Sequence, residues 1–148
     1  MLKPLICALF VALAPITSIA GDAGTGPELV SDGDVRAVRA VVEAQVHALA
    51  VEDAAEAFSY ASPAIKRRFH DAATFIEALR RAYPMLIRPA SIGFFRPEAH
   101  GDSLHQAVHF RDGEGHLWRA VYELQRQPDN NWRINGCAVA ADDDSTTT

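Results

Sequence analysis

HLWRAVYELQRQPDNNWRINGC, residues 116–137, reads as two β-strands joined by a turn. Trp118, Ala120, Tyr122 and Leu124 recur at the two-residue period of a strand and share one face. Leu117, Val121 and the polar Arg119, Glu123 and Gln125 share the other. Pro128-Asp129-Asn130-Asn131 supplies the turn. Proline presets φ, and Asp and Asn tolerate left-handed backbone and can bond their own main chain. The second strand is expected from Trp132 to about Ala140, with Trp132, Ile134, Gly136 and Ala138 on one face.

Upstream, Asp112-Gly113-Glu114-Gly115 has hairpin-turn chemistry. Before it, residues 103–111 alternate: Leu104, Val108 and Phe110 on one side, His105, Ala107 and His109 on the other. Residues 91–96 form a further strand candidate, with Ile92 and Phe94 opposite Phe95, and residues 97–102 read as a turn.

Further upstream the period becomes helical. Val35, Val38, Val41, Val42, Val46 and Leu49 recur at steps of three and four, which predicts an amphipathic helix over residues 33–50. Ser31-Asp32-Gly33-Asp34 offers capping oxygens for its start. Asp53 is placed to cap a short second helix. Ser62-Pro63 pairs a capping residue with proline at the first helical position, which predicts a helix through Phe69. Asp71 caps a fourth, with Phe75, Leu79 and Ala82 inward, ending at Tyr83-Pro84 because proline cannot continue it. Helices first and strands afterwards is the α+β pattern, a meander packing one face on the helices.

The chain has 148 residues, which suits one domain. Lys3, an apolar run over residues 5–16 and the small-x-small Ser18-Ile19-Ala20 resemble a secretory leader. The expected layout is a signal peptide at residues 1–20 cleaved after Ala20, a flexible leader at 21–30, one α+β domain at 31–141 and a disordered acidic, Thr-rich tail at 142–148. A periplasmic or secreted protein follows, with no stable membrane insertion after cleavage. Processing removes Lys3 and no acid, so the net charge moves from −5 to −6. That balance argues against nucleic acid or an anionic membrane as partner. It also removes Cys7 and leaves Cys137 alone, so no internal disulfide can form and a buried thiol is expected.

VRAVVEAQVHALAVEDAAEAFSYASPAIKRRF (residues 38–69), Ala82-Tyr83-Pro84 with Arg88-Pro89, and LWRAVYELQRQPDNNWRINGC (residues 117–137) resemble a bacterial family, domain of unknown function 4864. The resemblance covers about residues 35–137, and Asn131 stands where that family often has Gly before the Trp. The family is similar to short members of the cystatin-like, nuclear-transport-factor-2-like superfamily. That resemblance implies a curved antiparallel sheet wrapping a long N-terminal helix, with a conical pocket between them. It implies no activity, since the superfamily hosts isomerases, dehydratases, immunity proteins and dimerisation modules.

Chemistry-bearing patterns are few. His105 and His109 share a strand face, but four residues along a strand is ~13 Å, too far for one metal. No metal, cofactor, nucleophile or phosphate-loop motif occurs, and no catalytic residue is assigned. Asp53, His70, Asp71, His109 and Tyr122 are the acid–base candidates, and Asp53 and Asp71 already have work as caps. Tyr83, Trp118 and Tyr122 are the expected binding residues, as apolar rings with polar tips, and Arg88 and Arg119 are candidates for an anionic handle. The expected function is a non-catalytic module for a small apolar ligand or a protein partner. The alternatives are an isomerase- or dehydratase-type enzyme and a homodimer through the sheet's open face.

Overall fold

The computed structural model describes residues 29–142. The leader at 1–20, its cleavage point, most of the linker and all but the first residue of the tail lie outside that range. Val30, placed in the linker, packs on the core, and the Asp142 N–H donates to the Leu117 carbonyl at 2.9 Å.

Four helices come first: α1 (Asp32–Ala50), α2 (Ala54–Ser59), α3 (Pro63–Phe69) and α4 (Ala72–Ala82), then a 3₁₀ turn at Pro84–Leu86. Every start has the side-chain cap its sequence offers. Ser31, Asp53, Ser62 and Asp71 accept from the N–H of Asp34, Glu56, Ile65 and Thr74 at 3.1, 3.0, 3.2 and 2.7 Å. In α4 the buried pair is Phe75 and Ile76. Ala82, expected inward, is exposed, because the helix ends there and the chain turns away at Pro84.

Five strands follow: β1 (Ser91–Phe94), β2 (Glu98–His100), β3 (Ser103–Arg111), β4 (Leu117–Arg126) and β5 (Trp132–Ala141). They form one antiparallel sheet in the order β1-β3-β4-β5, with β2 also pairing β3. The fold is α+β. Residues 97–102, expected as a turn, contain β2, whose three residues are all exposed and so carry no burial pattern to read. The break between β1 and β2 is held by Gln106, whose fully buried amide donates to the Phe95 and Ala107 carbonyls at 2.7 and 2.8 Å. Among the described residues no helix is long and apolar enough to cross a membrane.

In the turn of the β4–β5 hairpin the left-handed residue is Asn130, φ 69°. One expectation in this hairpin changes. The face assignment of β5 holds only for its first half. Leu124 pairs with Ile134, but Glu123 pairs with Gly136, so Asn135 is an extra residue, a β-bulge. Past it the alternation reverses. Cys137 and Val139 pack on the core beside Trp132 and Ile134, and Ala138 is exposed.

Two cores result. Val38, Val42 and Val46 of α1 meet Val108, Phe110, Ala120, Tyr122, Leu124, Trp132 and Ile134 of the sheet. Ala48 and Leu49 meet Ala57, Phe75 and Ile76 among the helices.

Candidate functional site

The two cores do not close on each other. A cavity of about 400 Å³ lies between them, within the range of small-molecule sites. Leu49 and Phe75 from the helical core face Leu86, Tyr122 and Ile134 from the sheet core across it. Its wall on β5 is the bulge itself, Asn135 to Cys137.

Local bonds fix that wall. Residues 60–62 lie along the open edge of β5: the Ile134 N–H donates to the Tyr60 carbonyl, and the Ser62 N–H to the Ile134 carbonyl, both at 2.8 Å. The Ser62 hydroxyl caps α3 and donates to Asn135 Oδ1 at 2.8 Å. Asn135 Nδ2 in turn donates to Glu123 Oε1 at 3.1 Å. With the bulge pinned, Cys137 points inward opposite Tyr122.

Tyr122 is 1% exposed, and its hydroxyl has no hydrogen-bond partner among the described residues. Burial pushes this phenol well above its usual range, and the neighbouring Cys137 adds to the shift. Burial likewise pushes the Cys137 thiol up to about 12. Both are therefore protonated at neutral pH. The cavity offers hydrogen bonds there, and neither a thiolate nor a phenolate base. Gln45 of α1 adds an amide, with Nε2 donating to the Ala57 carbonyl at 3.2 Å. No carboxylate or histidine is among the described residues lining this cavity.

Of the expected binding residues, Tyr83 and Tyr122 line this one cavity. Trp118 does not. It shares the sheet face of Tyr122 but sits four residues along, beyond Ala120 and at the β3–β4 turn, where its Nε1–H donates to Asp112 Oδ2 at 2.9 Å. Neither proposed arginine reaches the cavity. Arg88 donates to the Ala50 carbonyl at 3.1 Å, and the Arg119 guanidinium stacks 5.0 Å from the Phe95 ring centre on the opposite sheet face. Arg68, at the end of α3, lines the cavity instead.

The other candidates have structural work. Asp53 and Asp71 are caps, and His70 ends α3 with φ 67°. His109 lies over Gly93, the residue opposite it on β1, so closely that a Cβ there would overlap its ring. Its other side meets Phe95 edge-on at 5.3 Å, which covers an edge glycine with an aromatic ring. His105 stacks on His100 at 3.9 Å, also on the outer face.

Gln45 was not singled out from sequence, yet a signal exists. It continues the buried stripe Val38, Val42, Leu49 by helical steps, as a polar residue on a core face. Gln106, between Leu104 and Val108 on the inner face of β3, carries the same mark.

The donors of Asp112, Glu114 and His116 come within 4.8 Å of one another, as a metal would need. The hairpin turn accounts for this arrangement. Asp112 accepts from the Glu114 and His116 N–H at 2.9 and 3.0 Å as well as from the Trp118 indole. That indole bond, then the turn's N–H groups, lowers the Asp112 carboxyl from 3.8 to about 2. A depressed pKa means the charged form is favoured by folding. The stabilisation is full above 3.8 and is lost as pH falls toward about 2. In a carbon-detected titration the Asp112 carboxyl should turn near 2, with the Trp118 indole proton moving in step. A midpoint at 3.8 would mean that the indole does not hold it.

The family model described as Domain of unknown function (DUF4864) matches residues 31–147, and the chain belongs to that family. No curated protein and no solved structure matches it.

Proposed function

We propose that this member of the family binds a small, mostly apolar molecule in the helix–sheet cavity and does so without catalysis. The single observation that carries the reading is the cavity of about 400 Å³ between the two cores, lined mostly by apolar side chains. The protonated thiol and phenol also favour binding over the isomerase or dehydratase reading, which needs a base poised near neutral pH.

The setting proposed is the periplasm or the extracellular space. Support comes from Lys3, the apolar run at 5–16 and the small residues before Gly21. With Cys7 removed along with the leader, the one remaining thiol, partly buried Cys137, suits an oxidising compartment. The acidic balance, −5 over the chain, favours a small molecule or protein over nucleic acid as partner.

Native mass spectrometry of wild-type protein from its own host tests this, and a retained small molecule is the expected result. Tyr122→Phe, which removes an unpartnered hydroxyl, should leave the ligand-free protein equally stable or raise its Tm by a few degrees. No extra mass on the wild type, with no small apolar probe raising its Tm, would overturn the reading.

A further inference from the structure

We infer that the free edge of β5, residues 137–141, pairs antiparallel with the same edge of a second copy of the chain, and that the acids following β5 in each copy reach the basic residues of α3 in the other. This surface does not depend on what the cavity holds. The Asp142 N–H donates to the Leu117 carbonyl at 2.9 Å, so Asp142 turns its backbone groups toward β4. In an antiparallel ladder alternate residues do so. Ala140 and Ala138 therefore bond β4, and Cys137, Val139 and Ala141 turn their N–H and C=O groups away from it. Among the described residues those groups have no partner.

Unpaired edges invite a strand from another chain, and proteins blunt them with proline, charge, bulges or a covering segment. The rest of this sheet's edge is so treated. Residues 60–62 cover β5 at Ile134, next to the bulge. The opposite edge is broken into the short β1 and β2, with Arg96-Pro97 between them. Cys137-Ala138-Val139-Ala140-Ala141 has none of these devices. Self-pairing fits it. A two-fold centred on Val139 sets Cys137 opposite Ala141 of the second copy, so the outward groups meet in register and form about six hydrogen bonds. The exposed side chains at the join are Ala138 and Ala140, small and uncharged.

Charge names the occupant. The chain leaving β5 reads Asp142-Asp143-Asp144. In this register the acids run past Gly136 of the second copy toward its residues 60–62, which lead into α3 at Pro63. The last turn of α3 carries Lys66, Arg67 and Arg68, and none is in a salt bridge among the described residues. An unrelated peptide would satisfy the edge without this match. An edge of this length buries less than the ~1,000 Å² of a stable interface, so the dimer is weak, with a Kd on the order of 10 μM.

Sedimentation velocity of the purified protein from about 1 to 500 μM tests this, and a monomer–dimer equilibrium weakened by added salt is the expected result. Ala141→Pro removes a donor that faces away from β4. The fold should keep its Tm while the dimer weakens about tenfold or more, since each copy loses one bond. Asp143→Lys with Asp144→Lys should weaken the dimer about three- to tenfold, and adding Lys66→Glu and Arg67→Glu should restore it. Were Ala141→Pro to lower the Tm, the charge reversal and its rescue carry the test alone. A protein monomeric throughout, or a dimer indifferent to Ala141→Pro, would overturn the edge pairing. A dimer lost in Ala141→Pro but unmoved by the charge reversal would overturn the contact with α3.

Discussion

Trp132→Ala should lower stability by about 3–5 kcal/mol, the usual cost of emptying a large aromatic site. That is a large part of the 5–15 kcal/mol by which domains of this size are typically stable. Trp132 opens β5, is nearly buried, and packs with Ile134 and Leu124 on the face that α1 covers. Its loss does more than leave a void. The indole N–H donates to Asp34 Oδ1 at 3.2 Å, and the Arg126 guanidinium lies 4.6 Å from its ring centre. Arg126 also bonds Asp34. This cluster ties the first turn of α1 to the far end of the β4–β5 hairpin. Trp132→Phe separates the terms: it retains most of the packing and loses the N–H, so it should cost only about 1–2 kcal/mol. Equilibrium urea unfolding of both proteins measures the difference. A cost below about 1 kcal/mol for the alanine change would mean that the indole is not a core element. Asp34 reports the same event by titration. Ser31's hydroxyl, then the indole and Arg126, hold its carboxyl below 3.8, and in the Trp132→Ala protein it should move back toward that value.

Deleting Asn135 should leave the faces of β5 in place and cost about 1–2 kcal/mol. Asn135 is the extra residue, so without it Ile134, Gly136 and Cys137 alternate regularly: Gly136 still pairs with Glu123, and Cys137 and Val139 still face the core. The cost comes from Ser62 and Glu123 losing their Asn135 partners. Asn135→Ala removes the same bonds and keeps the extra residue, so a similar cost is expected. Urea unfolding measures both, and thiol accessibility adds a qualitative readout. Cys137 should react slowly in wild type and in both variants. A fast-reacting thiol in the deletion alone would show that the extra residue of the bulge lies elsewhere in β5.

Local structure was legible because its causes are local. A cap acts within three residues, so Ser31, Asp53, Ser62 and Asp71 mark four helix starts with no knowledge of the rest of the chain. The alternation of β3 and β4 was legible because one face of each is buried along its length. β2 was not, since it has no buried face, and its pairing to β3 is made by backbone that every residue carries. Trp118 and Tyr122 share a face by periodicity alone. That periodicity does not reveal that the cavity opens at Tyr122 while Trp118 turns its polar tip to Asp112.

The sequence by itself determined the α+β order, the helix boundaries, the inner faces of the central strands and the family. Each follows from residue spacing or from short-range hydrogen bonds. Only the tertiary structure decided the far half of β5, the gap between the two cores and the choice of Arg68 over Arg88 or Arg119 as the cation at that gap. The reason is the range of the forces. One inserted residue leaves no trace in local propensity, yet it reverses every later side chain on the strand. A cavity is the space that several well-packed elements fail to fill together, so no single element records it.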